Sequence, residues 1–209
     1  SSANEVCCLT DHTELKPTRN NILEKYKKIL QDSKEGDTII LTYSGHGTYT
    51  LDLNNDEIDG RDEVLCCIDN TNITDDELKK ITQDNLRENV NVFILFDCCH
   101  SGTLMDLKYN YLSGDNYNEV VTNENNVETK GNVYLISGCK DDQKGAEAYI
   151  NSKFQGAMTW AFLRTIKHNK DISWKQLLTR MRDLLRPYFT QIPQLSSGRA
   201  LDINSKIIL

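Results

Sequence analysis

Two short apolar runs, each followed directly by a turn of small residues, constrain the fold of this chain more than any other feature. The first covers residues 38–42 and leads into the motif YSGHG, which contains His46. The second covers residues 92–96 and leads into the motif DCCHSG, which contains Cys99. Short apolar runs that stop at such turns predict buried strands. If the two strands are parallel neighbours, His46 and Cys99 lie side by side beyond their carboxyl ends.

A thiol beside an imidazole is the pair on which cysteine hydrolases depend. The thiolate is the nucleophile, and the His activates it and later protonates the leaving group. Taken singly, Cys99 would more often be a small buried residue, and His46 a turn residue. The two glycine-flanked motifs together favour a catalytic dyad. The backbone N–H groups of Cys99 and of Gly45 or Gly47 could then hold an oxyanion, because Gly permits close approach of the backbone.

Apolar runs alternate with helical patterns along the chain. This alternation predicts an α/β fold in which a mainly parallel central sheet carries helices on both faces. The 209 residues suffice for a single domain with one core. The polar, Asn-rich segment 107–131 has no clear hydrophobic period, and we expect it to be a mobile surface loop. The predicted strands are 5–9, 37–43, 64–68, 90–96 and 132–137, and the predicted helices are 17 or 18–33, 75–83, 154–167 and 172–185.

The two glycine-flanked motifs resemble the catalytic signatures of metacaspases, the caspase relatives of plants, fungi, protists and some viruses. The resemblance implies a caspase-like (caspase-hemoglobinase) fold of the compact type without a long linker insertion. It also implies a cysteine endopeptidase in which Cys99 attacks, His46 is its partner and Cys98 packs in the core. In caspases, too, the catalytic His precedes the Cys by about 50 residues. Weaker similarities follow the family's order over nearly the whole chain: LTD at 9–11, KPTRNNI at 16–22, DGRDE at 59–63, ISGCKDDQ at 136–143, GAMT at 156–159 and PQLSS at 193–197.

Carboxylates near the two motifs indicate which substrates such a site would accept. Asp97 lies two residues before Cys99, so strand alternation places both on one side. In metacaspases the positions that match Cys8, Asp11, Ser44 and Asp97 line the pocket for the residue before the scissile bond. Two carboxylates there would favour Arg or Lys and would reject Asp by charge repulsion. The simpler alternative is that Asp97 only caps the turn that follows it.

A second acidic set consists of Asp62, Asp75, Asp76 and Asp106. Carboxylates from several segments suit Ca²⁺, which takes about six to eight oxygen ligands and tolerates irregular geometry. The four residues match the ligand positions of calcium-dependent metacaspases, so the resemblance implies Ca²⁺ as cofactor and activator. Without the resemblance, they would be interpreted as solvated surface charge, with Asp75 and Asp76 in the first turn of a helix.

Composition limits the partners and the compartment that we expect. A net charge of −7 and a sequence pI of about 5.1 argue against nucleic acid or an anionic membrane as a partner. Six of the seven cysteines form adjacent pairs, which make a poor disulfide framework and indicate a reducing, cytoplasmic location. No apolar run is long enough to span a membrane. We expect a monomer that acts on proteins or peptides with a basic residue before the scissile bond.

The beginning of the sequence departs from the family pattern. Metacaspases open with an apolar strand that lies inside the sheet, and we expect the single domain at 1–209 to lack it. A sheet without that strand would expose two unpaired edges. Self-cleavage, where it occurs, is expected after a Lys or Arg in a mobile segment. Lys108 and Lys130, which flank the Asn-rich segment, are the best candidates within the chain, and a site before Ser1 is an equal alternative.

Two further interpretations stay open. A caspase-like scaffold without catalysis, which binds partners or calcium, would account for the fold but would not need both His46 and Cys99. A caspase that cuts after Asp would need a basic pocket, which the acidic residues Asp11 and Asp97 do not supply.

Overall fold

The structure is a computed structural model that describes residues 5–51, 61–98, 104–112, 117, 119–138, 147–150, 153–169, 171–189 and 192–207. In these residues the helices are α1 (Arg19–Asp32), α2 (Asp75–Asn85), α3 (Ala157–His168) and α4 (Trp174–Leu185). The strands are β1 (Thr38–Ser44), β2 (Gly47–Leu51), β3 (Arg61–Cys66), β4 (Asn72–Thr74), β5 (Asn91–Asp97), β6 (Tyr109–Leu112), β7 (Glu119–Thr122), β8 (Asn132–Ser137), β9 (Glu147–Ile150), β10 (Lys153–Gly156) and β11 (Gln194–Ser197).

A six-stranded sheet in the order β1-β5-β8-β11-β6-β7 forms the centre of the fold. β1, β5 and β8 are parallel, and β11, β6 and β7 continue the sheet through antiparallel pairings. The register pairs Thr38 with Asn91 and Ser44 with Asp97, so β1 and β5 begin and end level. Their carboxyl ends therefore form one edge, where ligands bind in sheets of this kind.

Alternating side chains of β5 pack into two different hydrophobic clusters of the core. Val92, Ile94 and Phe96 belong to one hydrophobic cluster, and Phe93 and Leu95 belong to the other. The first cluster includes Tyr26 and Leu30 of α1 and Leu78 of α2, and the second includes Met158 and Phe162 of α3 and Leu177 and Met181 of α4. The predicted α/β fold, with a central sheet and helices on both faces, is confirmed.

Side-chain caps set three of the helix starts. Thr18 caps α1 by accepting a hydrogen bond from the backbone N–H of Asn21 at 3.3 Å. Thr74 with Glu77 and Ser173 with Gln176 form reciprocal capping boxes at the starts of α2 and α4. These starts were predictable, because a capping residue acts through neighbours only three positions away.

The strand predicted at 5–9 is wrong. These residues are irregular, and Val6 is exposed. Among the described residues, β1 pairs with β5 alone, so no neighbouring strand supplies hydrogen bonds to residues 5–9. An apolar run without a partner strand has too little stabilisation to stay extended.

Two further segments differ from the prediction. The helix predicted from 154 begins at Ala157, because residues 153–156 pair with β9 as β10. The segment 107–131, expected to be a loop, contains β6 and β7. Tyr111 of β6 is buried, and its hydroxyl accepts a hydrogen bond from the N–H of Leu201 at 2.8 Å. The mobility of segment 107–131 and the single domain at 1–209 stay predictions.

Candidate active site

The YSGHG turn at the end of β1 is anchored by Tyr43. The Tyr43 hydroxyl donates to the carbonyl oxygens of His46 and Cys66 at 2.8 and 2.9 Å. The backbone N–H of Cys66 also donates to the His46 carbonyl, at 3.0 Å. The phenol lies so close to Gly45 that a Cβ there would collide with it. The backbone of His46 is thus held between β1 and β3, while the residue itself remains exposed.

Packing keeps the Tyr43 anchor in place. Its ring stands edge-on to Phe96 of β5, with 6.3 Å between the ring centroids. Burial raises the pKa of Tyr43, so the hydroxyl stays protonated and remains a donor. This function could not be predicted from the sequence, because a Tyr at the end of an apolar run predicts packing but not the carbonyl groups that its hydroxyl will reach.

Asp97 ends β5 and contacts the start of α3. Its carboxylate is buried, and Oδ2 accepts a hydrogen bond from the N–H of Thr159 at 2.7 Å. Thr159 lies in the first turn of α3, and the residue at the N-cap, Gly156, makes no side-chain cap. A Cβ at Gly156 would collide with the Asp97 carboxylate. Asp97 therefore caps a helix that lies 62 positions further along the chain.

Of the predicted dyad, the structure describes His46 but not Cys99. Cys98 is buried in the cluster that contains α1 and α2, so its predicted packing in the core is confirmed. The choice of Cys99 as the attacking cysteine stays a prediction. Cys99 and His100 lie outside the described residues. Asp97 and Ser44, which precede Cys99 and His46 by two residues each, are register partners at the ends of neighbouring parallel strands.

The structure brings together two of the four predicted pocket residues. Ser44 is exposed and lies opposite Asp97. Cys8 and Asp11 lie in the exposed, irregular segment before α1, where the backbone oxygen of Asp11 accepts a hydrogen bond from Lys16 Nζ at 2.7 Å. Among the described residues, neither of them makes a hydrogen bond or ion pair with Ser44 or Asp97.

Gly47, the other predicted oxyanion residue, begins β2. It lies opposite Leu65 in the three-stranded sheet of β2, β3 and β4. The turn from Gly45 to Gly47 therefore connects the central sheet directly to this smaller one.

The predicted calcium ligands lie where β3, α2 and the segment after β5 meet. Asp62 and Asp75 are buried, and Asp75 accepts hydrogen bonds from the N–H groups of Glu63 at 2.9 Å and Asp76 at 2.8 Å. Burial raises the pKa of Asp75 to about 7, and the charges of Asp106 and Asp62 contribute to the increase. The charges of Asp62 and Asp106 therefore act on the Asp75 carboxyl group.

Lys79 contributes a positive charge to this acidic group. Its Nζ donates to Asp106 Oδ2 at 3.1 Å and to Asn126 Oδ1 at 3.0 Å. Within the described residues, no three His, Cys, Asp or Glu side chains form a ready-made metal cage. The chemistry of the donors nevertheless fits Ca²⁺, which prefers carboxylate oxygens from separate segments. Lys79 was not among the predicted site residues, although its position four residues after Asp75 places both on one face of α2.

Sequence comparisons point to one family. A family model described as metacaspase, peptidase C14 domain, matches residues 2–108. Metacaspase-1B of Neurospora crassa is 35% identical over 92% of this chain and 56% of its own length. Metacaspase-1 of Meyerozyma guilliermondii is 32% identical over 100% of this chain and 63% of its own length. The chain thus spans somewhat more than half the length of these curated relatives.

A structural comparison agrees over most of the fold. The crystal structure of a protein from Geobacter sulfurreducens matches with a TM-score of 0.63 and 26% identity, over 89% of this chain and 75% of that one. In the part of the chain that the structure describes, no helix is long and apolar enough to cross a membrane.

Proposed function

The chain belongs to the metacaspase family of caspase-like cysteine peptidases, and we propose that it is an endopeptidase with a dyad of Cys99 and His46. The parallel pairing of β1 with β5 carries this proposal, because its register sets Ser44 opposite Asp97. His46 and Cys99 each follow this pair by two residues. A thiol and an imidazole that follow level strand ends are favourably placed for proton transfer between them.

In the proposed reaction, His46 removes the proton from the Cys99 thiol, and the thiolate sulfur attacks the carbonyl carbon of the scissile bond. The carbonyl oxygen becomes an oxyanion, for which the N–H groups of Cys99 and of Gly45 or Gly47 are the proposed donors. As the C–N bond breaks, the imidazolium gives its proton to the leaving amine. Water, deprotonated by the same imidazole, then hydrolyses the thioester and restores the thiol.

We propose Arg or Lys as the substrate residue before the scissile bond. The burial of Asp97 supports this preference, because a partly desolvated carboxylate attracts a cation more strongly than an exposed one does. Ser44 would supply a neutral hydrogen bond beside it. Cys8 and Asp11 would complete the pocket if the segment before α1 moves toward Asp97 when substrate binds. A substrate Asp would meet a like charge.

We also propose that Ca²⁺ activates the enzyme, with Asp62, Asp75, Asp76 and Asp106 as its ligands. The crowding of buried carboxylates around Asp75 supports a cation site, because a divalent ion relieves their mutual repulsion. When bound, Ca²⁺ would supply a fixed double positive charge between segments that otherwise repel one another.

The expected sites of self-cleavage depend on this specificity. Self-cleavage is proposed after Lys108, which is half-buried, or Lys130, which is exposed. We propose that the enzyme is a monomer and that its partners are protein or peptide substrates. We propose neither nucleic acid nor a membrane as a partner. Among the described residues, Cys7, Cys8, Cys66 and Cys67 form no disulfide, which supports the reducing cytoplasm as the proposed location.

The decisive experiment uses three peptides that differ only in having Arg, Lys or Asp before the scissile bond. Each is incubated with wild type and Cys99→Ala, in Ca²⁺ or in excess chelator. We expect wild type to cut the Arg and Lys peptides in Ca²⁺ only. Cleavage by Cys99→Ala would contradict the dyad, full activity in chelator would contradict calcium activation, and a preference for Asp would contradict the acidic pocket.

A further inference from the structure

The proposed calcium site contains a cation that belongs to the chain. Lys79 lies 3.1 Å from Asp106, and the two side chains are only 18% and 8% exposed. The next residue of the same helix, Lys80, lies 3.2 Å from Asp84, with side chains that are 76% and 58% exposed. Solvent and salt weaken the exposed pair far more than the sheltered one. Lys79 is therefore a strong local counter-charge, whereas Lys80 is an ordinary surface lysine.

We propose that Lys79 competes with Ca²⁺ for Asp106 and thereby sets the calcium concentration to which this chain responds. This inference rests on the calcium site proposed above. Asp106 cannot keep a close contact with both an ammonium group and a divalent cation, because the two cations repel each other in a sheltered site. In the absence of Ca²⁺, Lys79 partly neutralises the group formed by Asp106, Asp75 and Asp62. Binding of Ca²⁺ displaces it.

Displacement of Lys79 by Ca²⁺ would alter contacts of Asp106, which lies close in sequence to the proposed nucleophile. Asp106 follows Cys99 by seven residues in the sequence and has a φ of 42°, which is uncommon for a residue other than Gly. Lys79 bridges its carboxylate to Asn126, which closes a turn with Asn123. Displacement of Lys79 breaks this bridge, so that occupancy of the metal site changes how Asp106 and Asn126 are held together.

Calcium binding is measured by isothermal titration of the full-length protein, with Cys99→Ala as the parent to prevent self-cleavage. Lys79→Met is compared with Lys80→Met, a matched control that removes the same charge from the same helix. We expect Lys79→Met to bind Ca²⁺ about tenfold more tightly than the parent, and Lys80→Met to bind within about twofold of it. In chelator, Lys79→Met should melt below the parent, and Ca²⁺ should raise its Tm by more. Equal or weaker binding by Lys79→Met overturns the proposal.

A second measurement keeps Lys79 unaltered and does not depend on how a variant folds. The parent is acylated with an amine-reactive ester, with and without Ca²⁺, and each lysine is followed by peptide mass spectrometry. Ca²⁺ should increase the labelling rate of Lys79 severalfold and leave Lys80 unchanged. An unchanged rate at Lys79 under conditions where Ca²⁺ binds overturns the competition.

A third variant separates this inference from the calcium site itself. Replacing Asp75 and Asp76 by Ala should abolish binding. If it does so while Lys79→Met binds like the parent, the site stands and the role of Lys79 is wrong. If neither the parent nor Lys79→Met binds Ca²⁺, both proposals are wrong.

Discussion

The carboxylate of Asp97, at the end of β5, accepts a 2.7 Å hydrogen bond from the N–H of Thr159 in the first turn of α3. The helix also packs against β5 through Phe162 and Phe93, whose ring centroids are 5.3 Å apart. The same carboxylate is the proposed recognition group for a basic substrate residue. The two tasks need different properties, because capping needs an acceptor oxygen whereas recognition needs negative charge.

Two substitutions of Asp97 separate these tasks. Asp97→Asn keeps an oxygen for Thr159 and removes the charge, whereas Asp97→Ala removes both. We expect Asp97→Ala to lower the free energy of unfolding by about 1–2 kcal/mol through loss of the cap, and Asp97→Asn to lower it less. Both should reduce kcat/KM for Arg peptides by about two to three orders of magnitude. Denaturant unfolding and peptide kinetics measure the two effects. An Asp97→Asn enzyme that cuts Arg peptides like wild type would show that the charge is not used.

Gly156→Ala tests the close contact between α3 and Asp97. The φ of Gly156 is −62°, which Ala adopts readily, so the expected cost arises from collision of the new Cβ with the Asp97 carboxylate. We expect Gly156→Ala to destabilise the wild-type protein by about 1–3 kcal/mol and to weaken cleavage after Arg. In an Asp97→Ala background the same change should cost much less, because the colliding group is gone. If the losses of unfolding free energy in this double-mutant cycle are additive, the cost of Gly156→Ala does not come from contact with Asp97.

The parts of the fold that follow from local chemistry were predictable. Thr74 and Glu77 predict the start of α2, and the apolar run before Asp97 predicts β5. Both were predictable because a helix cap or a buried strand is specified by residues only a few positions apart. The residues 5–9 carry a similar strand signal. It fails because a strand also needs a neighbour, and that neighbour is not encoded in the five residues themselves.

The contacts that shape the site depend on residues far apart in the sequence. Asp97 meets Thr159, and Lys79 meets Asn126, only after the sheet and helices have assembled. The motifs predict that Asp97 is near the site, but no local pattern indicates that it caps α3. Tyr43 is a similar case, since its hydroxyl reaches a carbonyl group 23 positions away.

Tyr43→Phe tests whether the anchored backbone of His46 matters for catalysis. The change removes the hydroxyl that joins the carbonyl groups of His46 and Cys66 but keeps the ring against Phe96. We expect a loss of about 1–2 kcal/mol in unfolding free energy. We also expect kcat to fall about tenfold with a smaller change in KM, because a looser turn misplaces the imidazole but leaves the Asp97 carboxylate, the main proposed substrate contact, in place.

The control for this prediction is Tyr188→Phe, which removes a hydroxyl from an exposed residue. It should leave both unfolding and kinetics unchanged. If Tyr43→Phe lowers stability but keeps the wild-type kcat, the anchor supports the fold and does not position His46.

Adjacent cysteines provide the sharpest test of the proposed nucleophile. Cys98 is buried among the apolar residues beneath α1 and α2, so Cys98→Ala removes one sulfur atom from the core and should cost about 1 kcal/mol of stability. The kcat/KM of Cys98→Ala should stay within about threefold of wild type.

Cys99→Ala should unfold like wild type but lose at least about three orders of magnitude in kcat, because no other group supplies the attacking thiolate. Labelling with a small uncharged thiol reagent, followed by peptide mass spectrometry, should find Cys99 modified first. Activity that survives Cys99→Ala and disappears in Cys98→Ala would assign the attack to the buried cysteine and would require β5 to present its opposite face to the substrate.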